Sequence, residues 1–341
     1  MLVLLYHKVL KSPSSDIWWR TFDAELYVLK KLFKVVTLDE VLEYINSQRK
    51  PEKQTVAITF DDGYADNYVY AYPLLKKHRL KATIFVTSSR IIRRSYKRKT
   101  LEDYWEGKAS LKELYTPLSM HQANLEFLNN GYSEDFLTEE EIRSMLDVFD
   151  IGWHSKWHTK DFCREKVLDF YDGANGHWSL VHAYGEEPSI GLPLFPMRGS
   201  LSVKAGKLRK EIIEFVRSKE VSFFERKDWK RVLKEELSKN FSQLLDFEDL
   251  RSRTERIRQE IEESARELKE IAQKSIYHAA YPFGDYDQVL KDEVSKRFNS
   301  AFTTEKRGVS LRDDPYLLPR VSVPKDVWSF FAILLRFLKS S

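Results

Sequence analysis

Val56-Ala57-Ile58-Thr59-Phe60-Asp61-Asp62-Gly63-Tyr64 is the stretch on which the reading of this chain turns. Its β-branched and aromatic run predicts a buried strand, and the carboxylate pair followed by glycine predicts the loop that leaves it. Side chains alternate faces along an extended backbone. Asp61 and Asp62 are therefore expected to point in different directions, one available to a metal ion and the other free for proton transfer. Folds of alternating strands and helices carry their active sites at that end of the strands. The plain alternative is an ordinary Asp-Asp-Gly turn.

A second stretch completes the argument: Ile151-Gly152-Trp153-His154-Ser155-Lys156-Trp157-His158. Two histidines four residues apart share one face of a helical turn, a spacing at which both rings can reach one ion. With one aspartate they make a set of two imidazoles and one carboxylate, leaving positions open for water and substrate. Each feature alone reads as a turn or as ordinary histidines. Together, each behind a strand-like run, they point to a metal.

Thr59-Phe60-Asp61-Asp62-Gly63 and His154-Ser155-x-x-His158 resemble the first two motifs of the polysaccharide deacetylases, the NodB-type carbohydrate esterases. The resemblance runs on in family order. It takes in Leu4-Leu5-Tyr6-His7, the run from Ala71 to Lys77, Lys81 to Val86, Leu137 to Met145, Ala280-Tyr281-Pro282-Phe283-Gly284 and Leu318-Pro319-Arg320-Val321. It implies an irregular (β/α) barrel of about seven strands, whereas periodicity alone gives only the α/β class. It also implies one divalent metal ion, zinc first and cobalt, nickel, iron or manganese as alternatives, held by Asp62, His154 and His158. Asp61 would be the general base.

Two departures from the family pattern stand out. The arginine expected in the third motif is Ala280 here, and Arg320 is expected to supply that charge from another strand. The late Leu-x-His is missing, while Leu5-Tyr6-His7 has its form, as in the circularly permuted branch resembling poly-N-acetylglucosamine deacetylases. His7 is therefore expected to be the general acid, its ordinary alternative being a buried structural histidine. Tyr64, Trp157, Trp178, Tyr281 and Pro282 are expected to face the sugar, with Trp153 a further stacking candidate and the amide of Gly63 or Tyr64 an oxyanion donor. The expected activity is N-deacetylation of an amino sugar. A non-catalytic glycan-binding descendant, which Ala280 makes thinkable, and a non-haem iron oxygenase are the competing classes.

Composition fits this frame. The 341 residues are 42% hydrophobic and 13% aromatic, enough for a core, and suggest one domain over 1–341 with insertions at about 90–136 and 159–275. The net charge of +4 gives no case for nucleic acid, and the single cysteine, Cys163, excludes an internal disulfide. No transmembrane or signal segment is read, so a cytoplasmic location is expected. The basic run Arg90 to Lys99 reads either as a solvated loop or as an anion site for a phosphate-linked or acidic sugar. Leu250, Ile257, Ile261, Ala265, Leu268 and Ala272 form one apolar helical stripe, expected to pack on the barrel or form a small cap. Val327 to Leu338 is too short to span a bilayer and reads as a core or dimer helix, or as one lying on a membrane surface. The oligomeric state is open.

Overall fold

The computed structural model describes residues 1–339. Its first half alternates strand and helix as the apolar runs predict: β1 (Leu2–Tyr6), α1 (Trp19–Leu32), β2 (Lys34–Val36), α2 (Leu38–Asn46), β3 (Thr55–Asp62), α3 (Tyr72–His78) and β4 (Ala82–Val86). Thr37 caps α2 in a capping box with Glu40, the reciprocal pairing that satisfies two free amides of a helix start. After α4 (Met120–Asn130) and α5 (Glu139–Ser144) comes β5 (Phe149–Trp153).

The chain then leaves the sheet and builds four antiparallel strands, β6 (Lys160–Phe162), β7 (Met197–Gly199), β8 (Gly206–Leu208) and β9 (Leu245–Phe247). It returns through α6 (Leu250–Ala272), β10 (His278–Ala280), α7 (Gln288–Ser295), β11 (Ser300–Phe302), β12 (Val321–Ser322) and α8 (Val327–Lys339).

The main sheet runs β11-β10-β5-β4-β3-β1-β12 with β2 paired to the early part of β3, and every pairing in it is parallel. Its two ends approach each other, because Phe302 of β11 bridges Leu318, just ahead of β12. A curled parallel sheet wrapped by helices is the (β/α) barrel-like fold that the family resemblance implies. The register pairs Asp61 with Phe85, Asp62 with Val86, Val86 with Trp153 and Trp153 with Ala279. Asp62, His154 and Ala280 are thereby brought to one end of the sheet. Close strand approach there requires Gly152, since a Cβ would lie 2.3 Å from the Phe85 ring.

The insertion expected over 159–275 divides in two. Phe162, Leu192, Ile212, Leu233 and Leu245 form a core of their own within residues 160–247, while Leu201 of the same stretch joins the barrel core. The stripe of α6 packs instead into the barrel core through Ile257, Ile261, Ala265 and Leu268. α8 docks Phe330 and Leu334 against the same core and leaves Trp328 79% exposed. No described helix is long and apolar enough to cross a membrane.

One buried acid makes the fold pH-sensitive. Glu25 of α1 accepts a hydrogen bond from the Tyr6 hydroxyl at 3.0 Å, and burial pushes its carboxyl up to about 8. The folded state holds this proton more tightly than the unfolded chain. Its stabilising contribution is complete below the ordinary value of 4.5 and is lost as pH rises through about 8. A melting series from pH 5 to 8.5 is expected to fall more steeply for the wild type than for Glu25→Gln, by up to about 1.4 kcal/mol per pH unit. Equal slopes would remove Glu25 as the cause.

Candidate active site

Backbone strain marks the site before any side chain does. Outside glycine, positive φ occurs at Gln48, Asp62, Arg79, Ser155, His158, Gln273 and Phe283. Gln48, Arg79 and Gln273 lie at the C-terminal ends of α2, α3 and α6, where a left-handed residue is a normal helix stop. The other four gather around the twin aspartates and the histidine pair, and strain of this kind persists only where the surroundings hold it. Asp62 (φ 74°) and Gly63 (φ 81°) turn the chain sharply at the end of β3. Both carboxylates nonetheless reach His154, whose Nε2 lies 3.7 Å from Asp61 Oδ2 and 3.4 Å from Asp62 Oδ1, and Asp62 reaches His158 as well.

His154 and His158 occupy a loop after β5, with Ser155 (φ 67°) and His158 (φ 48°) left-handed, and not the helical turn their spacing suggests. The loop still brings both rings to one point. His154 Nε2 lies 3.4 Å and His158 Nε2 3.2 Å from Asp62 Oδ1, and the ligand atoms of all three residues fall within 4.8 Å of one another. The His154 Nδ1–H donates to the Ala280 carbonyl at 2.9 Å, which selects the tautomer whose Nε2 lone pair faces Asp62. Ala280 thus contributes through its backbone, where the family resemblance implies an arginine side chain.

Charge in this buried pocket is divided unequally. Burial alone would lower the His154 imidazolium, but Asp61 and Asp62 outweigh it and the group shifts upward. Burial, reinforced by His154, Arg90 and His7, pushes His158 well below the ordinary imidazole range. Burial would raise Asp62, yet the neighbouring histidines hold it well below the usual carboxylate range. One anion and two imidazoles that do not both take up a proton suit a bound cation. Asp62 Oδ1 and His158 Nδ1 are buried with no hydrogen-bond partner, so the donor set fits a divalent ion by its chemistry and by an unsatisfied acceptor.

Asp61 belongs to a different pair. Arg320, 0% exposed, grips it through two hydrogen bonds, Nη1 to Oδ1 at 2.6 Å and Nη2 to Oδ2 at 2.8 Å. The guanidinium is held in turn by the Thr303 carbonyl at 3.2 Å and Thr59 Oγ1 at 3.3 Å. His7 follows β1, its carbonyl accepting from Asn67 Nδ2 at 3.0 Å. Next to it, Lys8 is buried between Asp66 and Asp135.

The sugar-facing residues separate. Trp178 lies over His158 at 6.3 Å with planes 15° apart, and Phe283 lies 4.3 Å from the same ring. Pro282 lines a small cavity beside His158 and Ser155. Trp157, 45% exposed, turns outward into a cleft of about 580 Å³ between the inserted strands and α6. Three expectations are corrected. The Tyr64 ring is buried against Phe136, and its hydroxyl accepts from Asn124 at 3.0 Å. Tyr281 is buried and donates to the Tyr316 carbonyl at 3.0 Å, and the indole of Trp153 donates to Ser264 at 2.6 Å. Aromatic residues at a strand end serve the core as readily as a ligand, and sequence does not separate the two. The Gly63 amide donates to the Asp61 carbonyl at 3.0 Å, which removes it from oxyanion binding.

Most of the basic run is paired with carboxylates. Arg93, Arg94, Arg98 and Lys99 face Glu139 and Glu267, Glu134, Glu141 and Glu113. Arg90 is buried beneath Trp178.

Known proteins agree with this architecture. The fold is that of a (β/α) barrel: a de-N-acetylase from Aggregatibacter actinomycetemcomitans superposes with a TM-score of 0.58 over 98% of each chain at 13% identity. IcaB from Ammonifex degensii superposes at 0.54 over 97% of this chain and 94% of its own, at 19% identity. Residues 48–166, which hold both the twin aspartates and the histidine pair, match the polysaccharide deacetylase family. The likeness to that family by sequence therefore covers residues 48–166 of the 341. YxkH of Bacillus subtilis, a provisionally named polysaccharide deacetylase, is 37% identical over 90 residues, which span 26% of this chain and only 32% of that protein.

Proposed function

We propose that this chain is a metal-dependent hydrolase that removes the N-acetyl group from an amino sugar of a polysaccharide or glycan precursor. The observation that carries the proposal is the convergence of Asp62, His154 and His158 beside an Asp61 held by Arg320. Two imidazoles and a carboxylate are the donor set of catalytic zinc sites, and the same set accepts cobalt, nickel, iron or manganese. When bound, the ion lowers the pKa of a water and polarises the acyl carbonyl.

The protein's own residues do the rest. Arg320 occupies one direction on each oxygen of Asp61 and fixes the carboxylate plane, leaving further lone pairs to take a proton from the attacking water. His7, on the neighbouring strand end, is the group proposed to protonate the leaving amine. Trp178 and Phe283 wall the His158 side with the flat apolar faces on which sugar rings stack. Likeness to the poly-N-acetylglucosamine deacetylase branch rests on the position of His7 and on the fold.

The test is acetate release from N-acetylglucosamine oligomers by chelator-treated protein to which single divalent ions are returned. Acetate and free amine are expected in equal amounts, absent after chelation and restored by one ion. Metal binding without acetate release from any N-acetylated glycan would instead support a glycan-binding descendant.

A further inference from the structure

We propose that Arg90 is a positioning residue for the metal site, holding the loop that presents His158; this rests on the metal-centre reading above. Within the basic run its neighbours pair with carboxylates, whereas Arg90 sits in the turn Ser88–Arg90 after β4 and is 2% exposed. Its Nη2 donates to the carbonyls of Trp157 at 3.1 Å and His158 at 3.3 Å, and its Nε and Nη1 are buried with no hydrogen-bond partner. The guanidinium packs against three rings, Phe127 and Phe136 at 5.2 Å and Trp178 at 5.1 Å. Burying a cation is costly unless it is compensated, and here two successive carbonyls and three aromatic faces supply the compensation.

The two histidines show why those carbonyls matter. The His154 ring is fixed by a bond from its own Nδ1 to the Ala280 carbonyl, the usual way a ligand imidazole is oriented. His158 lacks that bond, since its Nδ1 has no partner. Its ring direction therefore depends on its backbone, which is left-handed at φ 48°. That conformation costs about 1–2 kcal/mol for a residue other than glycine and relaxes unless it is held. The His158 amide is held by Ser155 Oγ at 3.0 Å. Arg90 holds the carbonyls of His158 and of the residue before it. Trp178, stacked near both Arg90 and His158, ties the insertion to the same arrangement.

The test is Co(II) binding to the full chain, read by the affinity and by the visible d–d spectrum, for wild type, Arg90→Lys and Arg90→Gln. Arg90→Gln is expected to weaken binding by about 10- to 100-fold, the range for losing an outer contact to a metal ligand, and to change the spectrum. Arg90→Lys keeps the charge without the fork and is expected to recover only part of the affinity. A purely structural arginine would lower the melting temperature while folded protein kept the wild-type affinity and spectrum, and that result overturns the proposal. If neither variant folds, Trp178→Leu opens the same cage with the arginine in place, and unchanged binding by it is equally fatal. A wild-type chain that binds no Co(II) overturns the metal-centre reading itself, and this proposal with it.

Discussion

Asp62→Asn is expected to abolish tight divalent-ion binding and to lower acetate release by on the order of a thousandfold or more, because the ion's Lewis-acid and water-activating roles go with it. The substitution is nearly isosteric. Asparagine is also among the few residues that accept a left-handed backbone, so the turn at φ 74° is kept. What is lost is the one carboxylate facing both imidazoles, at 3.4 and 3.2 Å. A neutral amide leaves a dication with two neutral donors and, as the nearby anion, an Asp61 already paired with Arg320. Calorimetric titration with Zn(II), alongside a melting curve of the metal-free protein, separates the site from the fold. Wild-type affinity in a folded Asp62→Asn protein would remove Asp62 from the ligand set.

The second large effect lies on the other aspartate. Arg320→Met breaks a fully buried, bidentate ion pair and leaves Asp61 uncompensated, which typically costs about 3–5 kcal/mol of stability. Acetate release is expected to fall by about 100-fold or more, since a general base out of position loses most of its contribution, while metal affinity stays within a few-fold. The double variant Asp61→Asn with Arg320→Met recovers much of the stability, because no unpaired charge remains, and none of the activity. A double-mutant cycle measures this coupling directly. Additive stability losses, or full activity in Arg320→Met, would show that the pair neither orients the base nor belongs to the site.

Several parts of this architecture were legible before the structure. The strand over Val56–Phe60 and the apolar stripe of α6 follow from local preference and periodicity. Alternation predicts that Asp61 and Asp62 part, whereas a left-handed turn at Asp62 leaves both carboxylates beside His154 Nε2. The histidine pair is visible in the sequence, but its spacing suggests a helical turn where the structure has a loop with two left-handed residues. Aromatic residues were the least readable. Trp153, Tyr64 and Tyr281 are core, Trp178 covers His158 and Trp157 points into a separate cleft. Their composition and position along the chain are alike, and only packing distinguishes them.

By itself the sequence determined the alternating α/β class, the strand ends on which two aspartates and two histidines stand, and the donor set those residues offer a metal. Each depends on backbone preference and side-chain alternation, which act over a few residues. The tertiary structure decided that Arg320, 259 positions from Asp61, closes on it, that Ala280 serves through its carbonyl, and that Arg90 leaves its basic neighbours to lie under the histidine loop. These contacts depend on sheet register, on how the barrel's ends meet and on which surfaces the insertion buries. Such outcomes are set by the packing of the whole core, and no short stretch of chain encodes them alone.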